Sequence, residues 1–239
     1  MSVTKKLLLI KLRLLLKKKK QKNIKTKHKR VSYRKTERQK LIFNSLIMNI
    51  LIIGSGGREH AIARVVSHSP LCTKLYAIPG NPGIAQIAEC INLPINDFLQ
   101  IAEFAFARQI DLVIIGPEAP LAAGIVDFLE QRNIKVFGCS AAAAQLESSK
   151  AFTKKLCDAA AIATADYKIF NDAQSAVYYI GKQRKFPIVI KANGLAAGKG
   201  VIIADTVFEA EHAIKDIFAG KYGANDKLVI EEFLDGIEA

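Results

Sequence analysis

The chain has 239 residues, half of them hydrophobic, and a formal net charge of +13, enough to bury a core as one large domain or two small ones. The charge does not indicate a nucleic-acid-binding globular domain: residues 1–47 carry 17 Lys and Arg against one acid, Glu37, a net +16 that leaves −3 for the rest. No run approaches the ~20 apolar residues needed to cross a bilayer. Cys72, Cys90, Cys139 and Cys157 form no C-x-x-C pair and no disulfide framework, which fits a reducing, cytoplasmic setting.

Residues 1–47 begin with leucine blocks broken by lysines and continue as a lysine-rich run. Three readings compete. A targeting segment would be basic and acid-poor, but this one has little serine and more lysine than arginine. A basic arm for nucleic acid or membrane would offer only Tyr33 and Phe43 as aromatics. Translated upstream sequence ahead of a start at Met48 is the expectation, because the composition changes abruptly there and a strand follows at once.

Residues 48–145 read as one α/β unit. Asn49–Ile53 has the length and composition of a buried parallel strand. Gly54-Ser-Gly-Gly-Arg-Glu-His60 leads from it into a helix over 61–68. A glycine turn between strand and helix N-terminus is an anion site, since free N–H groups and the helix dipole face the ligand. A dinucleotide fingerprint would need glycine where Glu59 stands, and an acid near Tyr76–Gly80, where there is none; a single phosphate remains open. Lys74–Ile78 is a strand ending in the tight loop 79–83. Residues 95–109 form an amphipathic helix that buries Phe98, Ile101, Ala102, Ala105 and Phe106. Asp111–Ile115 is a buried strand running into Gly116-Pro-Glu-Ala-Pro-Leu121, a helix then reaches Glu130, and Lys135–Phe137 is a further strand. The alternation predicts a doubly wound parallel sheet with ligands outside the carboxyl ends of its strands. The loops 54–60, 79–83 and 116–121 would lie there. Glu118 either caps the following helix or binds a sugar hydroxyl or an amine.

Residues 146–239 form a second unit. A helix over 141–156 breaks at Ser148-Ser149, where serine can N-cap a new start. Thr164–Phe170 is strand-like, 172–181 is a helix with an acid in its first turn, and 206–219 is another helix. Leu228–Leu234 is a strand whose Glu231 and Glu232 are either a solvated edge or part of a pocket. Between them, Ile188-Val-Ile-Lys-Ala-Asn-Gly-Leu-Ala-Ala-Gly-Lys-Gly-Val-Ile-Ile203 reads as strand, glycine-rich turn, strand. Glycines 194, 198 and 200 let backbone approach a bulky anion, and Lys191 and Lys199 supply point charges for phosphate oxygens. The competing reading is an ordinary hairpin with solvated lysines. The spacing is not that of a P-loop, which runs from Gly-Lys-Ser/Thr into a helix.

The run Lys191-Ala-Asn-Gly-Leu-Ala-Ala-Gly-Lys-Gly200 resembles the phosphate loop of the phosphoribosylamine–glycine ligases (glycinamide ribonucleotide synthetases), of the ATP-grasp superfamily. Gly-x-Gly-Gly-Arg-Glu-His at 54–60, Pro-Gly-Asn-x-Gly at 79–83 and Gly-Pro-Glu-Ala-Pro-Leu at 116–121 are similar to the family's successive signature loops, and in this order they are highly specific. The resemblance covers residues 48–239. It implies an N-terminal Rossmann-like domain followed by the first part of an ATP-grasp domain. It also implies ATP-dependent joining of glycine to 5-phosphoribosylamine through a glycyl phosphate, in purine biosynthesis. No protein nucleophile is called for. Carried over residue by residue, it puts Lys154, Lys191, Gly194, Gly198, Lys199, Gly200, Glu231, Glu232, Leu234 and Glu238 at ATP. Gly54, Gly56, Gly57, Arg58, Glu59, His60, Asn81, Gly83, Pro117 and Glu118 fall at the phosphoribosylamine site. ATP and Mg²⁺ (or Mn²⁺) are the implied cofactors; small molecules, not nucleic acid or membrane, are the implied partners, with a cytoplasmic monomer as the expectation. Two alternatives stay open: a different ATP-grasp carboxylate–amine ligase or carboxylase, or a non-catalytic binding module using the basic tail.

Asn193 stands where the family usually has Asp, removing a negative charge beside the phosphates. Cys139 replaces a usual proline and Ile237 a usual glutamate. The family continues for roughly one more such length, a scale set by ordinary domain sizes, and carries its magnesium ligands there. The expectation is therefore a partial chain that does not complete the reaction alone.

Overall fold

The computed structural model describes residues 47–196, 198–223 and 227–237. Residues 49–239 cluster as one unit, separate from the segment that precedes them. The described residues carry two sheets.

The first sheet has the order β3-β2-β1-β4-β5, made of β1 (Met48–Gly54), β2 (Cys72–Pro79), β3 (Glu89–Cys90), β4 (Leu112–Ile115) and β5 (Val136–Phe137). β1 runs parallel to β4, β2 to β3 and β4 to β5, and the apolar run Leu51–Ile53 is fully buried, as a strand covered on both faces requires. Helices α1 (Gly57–Ser67), α2 (Phe98–Ala107), α3 (Glu118–Ala122), α4 (Ile125–Glu130) and α5 (Ala141–Ser148) complete this part. The core gathers Leu51, Ile53, Ile78, Ile101, Val113, Ile125 and Leu129.

The second sheet has the order β6-β9-β7-β8, with β6 (Tyr167–Phe170), β7 (Ile188–Ala192), β8 (Val201–Ala204) and β9 (Leu228–Glu232). Its three pairings are antiparallel. α7 (Ala173–Ile180) and α8 (Val207–Phe218) pack on one face through Ala176, Ile180, Ala210, Ile214 and Ile217. α6 (Lys150–Ala159) contacts β9. Ser149 N-caps α6 as expected, accepting from Phe152 N–H at 3.3 Å; Asp172 and Thr206 cap α7 and α8 in the same way.

The parallel α/β sheet expected from the strand–helix alternation is present. Four local readings are corrected. α1 starts at Gly57 rather than 61, so Arg58, Glu59 and His60 form its first turn instead of a loop. The helix expected to run to Glu130 divides at Gly124, whose φ of 87° lies outside the helical region. Phe106, expected in the core, is 59% exposed, because α2 turns Ile101, Ala102 and Ala105 inward and leaves Phe106 beside the buried stripe. β9 ends at Glu232, leaving Phe233 and Leu234 exposed beyond it. The two-residue β3 is too short to leave a sequence signal.

Candidate functional site

The predicted site residues gather in two clusters, one on each sheet. The first lies where β1, β2 and β4 end. Their following loops are tied together by main chain: Gly80 N–H donates to Gly54 carbonyl at 3.2 Å, and Gly116 N–H to Ile53 carbonyl at 3.0 Å. Asn81 adds a bridge, its Nδ2 donating to Ser55 carbonyl at 2.8 Å while its Oδ1 accepts from Ile84 N–H at 2.9 Å. Gly83 lies flat against the His60 ring, where an added Cβ would come within 2.4 Å of Cε1.

Glu59 is the centre of this cluster and is only 3% exposed. As the third residue of α1 it reaches back, and Oε2 accepts from Gly56 N–H at 2.6 Å. Its side chain fills the space between Gly54 and Gly116: a Cβ at Gly116 would lie 2.2 Å from Oε1, and one at Gly54 2.6 Å from Cγ. Oε1 is buried without a hydrogen-bond partner. Glu59 therefore faces inward as a brace between loops. Ser55, Gly56, Gly57 and Arg58 are the exposed members of the turn, and the N–H groups of a helix start accompany them. Arg58 pairs with Glu118 at 3.0 Å across the two loops. Glu118 opens α3 behind Pro117; its own main-chain N–H, and then the Arg58 guanidinium, hold its carboxyl below the usual carboxylate range.

The second cluster lies on the face of the antiparallel sheet opposite α7 and α8. The β7–β9 register sets Lys191 across from Val229 and Glu231 across from Val189, so Lys191 and Glu231 share a face as diagonal neighbours. Lys191 Nζ donates to Glu231 Oε2 at 2.7 Å. The same oxygen lies 3.4 Å from Lys154 Nζ, which also donates to Thr164 Oγ1 at 2.7 Å and to Ala165 carbonyl at 3.1 Å. Glu231 is 6% exposed. Glu232, by contrast, is exposed and accepts from Asp166 N–H at 2.9 Å.

Sequence reasoning missed Lys150, one helical turn before Lys154, although the four-residue spacing could have revealed it. Its Nζ donates to the carbonyl of Gly194 at 3.1 Å. Burial, and then the nearby Lys191 ammonium, lower its pKa, while Glu231 acts the other way. Asn193 fastens the same junction. Its Oδ1 accepts from Ser149 Oγ at 3.1 Å and from Ala151 N–H at 2.9 Å, and its carbonyl accepts from Lys150 N–H at 3.1 Å. The start of the glycine-rich loop is thus pinned to the N-terminus of α6. Beyond it, Gly198 and Lys199 are exposed and Gly200 is buried at the entry to β8.

Lys150, Lys154, Lys191 and Glu231 line a cavity of about 240 Å³, with Leu146, Thr153, Cys157, Thr164 and Val201 completing its wall. Three cations around one carboxylate give the cavity a net positive charge, which favours an anion. Glu231 also borders a larger groove of about 660 Å³, lined by Tyr167, Tyr179, Phe186, Glu232 and Phe233 at the end of β9. Leu234 lies just past it; Glu238 lies outside the described residues. Among the described residues, no group of three His, Cys, Asp or Glu side chains could hold a metal ion, and no helix is long and apolar enough to cross a membrane.

Residues 48–147 match the family profile described as phosphoribosylglycinamide synthetase, N domain, and residues 148–239 match that of its ATP-grasp (A) domain. The chain is 54% identical over 193 residues to a phosphoribosylamine–glycine ligase of Mesorhizobium japonicum, covering 80% of this chain and 45% of the relative. The crystal structure of phosphoribosylamine–glycine ligase from Thermotoga maritima superposes with a TM-score of 0.63 at 29% identity, over 79% of this chain and 44% of that one. The biotin carboxylase domain of a Hydrogenobacter thermophilus 2-oxoglutarate carboxylase, solved with MgADP, superposes with a TM-score of 0.64 over 79% of this chain and 45% of that one. At 18% identity it reflects the fold alone. The chain thus spans less than half the length of these relatives.

Proposed function

We infer the function from one premise: the chain belongs to the phosphoribosylglycinamide synthetase family. The reaction we propose is the ATP-dependent joining of glycine to 5-phosphoribosylamine, giving glycinamide ribonucleotide, ADP and phosphate, as a step of purine biosynthesis in the cytoplasm. A carboxylate resists attack by an amine. The terminal phosphoryl group of ATP is therefore transferred to the glycine carboxylate, and the amine of phosphoribosylamine displaces phosphate from the resulting glycyl phosphate. Positioning and charge neutralisation carry both steps.

The observation that supports this most is the convergence of Lys150, Lys191 and Glu231 beside the glycine-rich loop, in a cavity of about 240 Å³. The nucleotide phosphates would lie there, held by Lys191, Lys150 and the loop N–H groups of 194–200, with Lys199 at its exposed rim. The base and ribose would follow Glu231 into the groove bordered by Glu232 and Phe233, toward Leu234 and Glu238. The loop would close as a lid and keep water from the acyl phosphate. Phosphoribosylamine would take the loop cluster, its phosphate on the exposed turn Gly56–Arg58, with Glu118 within reach of a hydroxyl or the amine. Glu59 and Gly83 would shape that site from behind. Mg²⁺ or Mn²⁺ supplies further charge neutralisation in such reactions, but the described residues gather no donor set that fits the ion, and no step here is routed through it.

Replacing Lys191 with Ala removes a charged hydrogen-bond donor, about 1.5–3 kcal/mol. ATP affinity measured by titration calorimetry on the full chain should fall roughly tenfold to a hundredfold. An unchanged affinity would remove the central assignment.

A further inference from the structure

We propose that Lys154 is a positioning residue for this site and not a phosphate ligand. The inference rests on the nucleotide reading above. A lysine ammonium has three N–H donors and no acceptor. Those of Lys154 face Thr164 Oγ1 at 2.7 Å, Ala165 carbonyl at 3.1 Å and Glu231 Oε2 at 3.4 Å. The Tyr167 ring covers a further side, its centroid 5.3 Å from Nζ. The side chain is 10% exposed. To bind a phosphate oxygen, Lys154 would have to give up a bond in a place where an unpaired charge is costly.

Lys191 and Lys150 are in the opposite condition. The Lys191 side chain is 27% exposed, with Glu231 as its one hydrogen-bonded partner among the described residues. Among the described residues, the Lys150 ammonium makes one hydrogen bond, to Gly194 carbonyl. Both have donors left for a ligand in the same cavity. What Lys154 does is hold Glu231. It fixes, from the α6 side, the carboxylate oxygen to which Lys191 is bonded from the β7 side, and so sets where the Lys191 ammonium waits.

The test follows lysine side-chain ammonium signals by NMR in the full chain carrying ¹⁵N-lysine, with signals assigned by single Lys→Arg variants, as MgATP is added. The Lys191 and Lys150 signals should shift while that of Lys154 stays. A Lys154 shift as large as that of Lys191 would overturn the inference and leave the nucleotide reading standing. No shift at any lysine would overturn that reading, and the inference with it. A second arm uses affinity. Lys154→Met should weaken ATP binding roughly tenfold in the native background and less than about twofold in a Glu231→Gln background, since residues acting through one another are not additive. Equal losses in both backgrounds would mean direct contact. The free Lys154→Met chain should also show a displaced Lys191 ammonium signal, which a change in overall stability alone would not produce.

Discussion

The two clusters are built on opposite principles. At the end of the parallel sheet, loops are joined by main-chain hydrogen bonds and by close contact between glycines and the Glu59 side chain. On the antiparallel sheet, charged side chains from α6, β7 and β9 meet at one carboxylate. The first arrangement should tolerate loss of a charge and fail on addition of a methyl group. The second should do the reverse.

The largest expected effect is at Glu231. Glu231→Ala leaves the buried Lys154 ammonium without its counter-charge, and breaking a buried pair this way costs about 3–5 kcal/mol. Urea unfolding should report the loss. Hydrogen exchange should localise it to 149–156, 164–170 and 188–192, leaving the protection of 54–60 and 79–84 unaltered. Equal loss of protection in both clusters would break the distinction.

Gly116→Ala comes next. Its Cβ would sit 2.2 Å from Glu59 Oε1 and 2.3 Å from Cγ. Glu59 cannot step aside without surrendering its bond to Gly56 N–H, so overpacking should cost about 1–3 kcal/mol. The exchange pattern should be the mirror image, with loosening at 54–60 and 116–122. Gly57 is the control. An added Cβ there meets nothing within 4 Å, and alanine suits a helix start better than glycine, so Gly57→Ala should stabilise by up to about 1 kcal/mol.

This contrast also explains what the sequence could reveal. The loop cluster was legible because each of its loops is one contiguous motif at a strand end, and the parallel sheet follows from alternating elements. Its inner logic was not: Glu59 reads as one more polar residue in a glycine turn, and only three-dimensional packing turns it inward against Gly116. In the lysine cluster, Lys191 and Glu231 stood out as residues at strand ends in a resemblance. Their pairing depends on the β7–β9 register, which brings together positions 40 residues apart. The acceptors that occupy Lys154, Thr164 and Ala165, carry no motif at all. Lys150 was readable from helical spacing, but only with Lys154 already placed on a helix.

Asn193 sharpens the comparison where the glycine-rich loop joins α6. Asn193→Ala removes the acceptor shared by Ser149 Oγ and Ala151 N–H, and loss of such a cap costs about 0.5–2 kcal/mol. Exchange should quicken at 193–200 more than in α8. Asn193→Asp keeps both bonds and adds a negative charge at the α6 N-terminus, worth about 0.3–1 kcal/mol. It should also raise the depressed Lys150 pKa, read from that lysine's ammonium signal. A lower melting temperature in the Asp variant would mean that the junction is set by something other than this cap.

The smallest effect tests whether charge matters at all in the loop cluster. Glu118 titrates below its ordinary value, chiefly because its own main-chain N–H bonds the carboxylate and secondly because Arg58 does. With the folded pKa depressed, the unfolded chain binds the extra proton as acid is added. The contribution is complete above the ordinary carboxylate pKa and disappears as pH falls through the folded one. The pair is partly solvated, so it is worth less than about 1 kcal/mol. Glu118→Gln should therefore lower stability at neutral pH by less than about 1 kcal/mol, with the difference from the native chain vanishing as pH falls through the folded pKa, so that the acid side of the curve is slightly flatter. Arg58→Ala should leave most of the pKa depression in place, followed by carboxyl ¹³C titration of Glu118. If Arg58→Ala returned Glu118 to its ordinary value, the ion pair rather than the backbone would be setting this loop. The loop cluster would then share the charge logic of the lysine cluster.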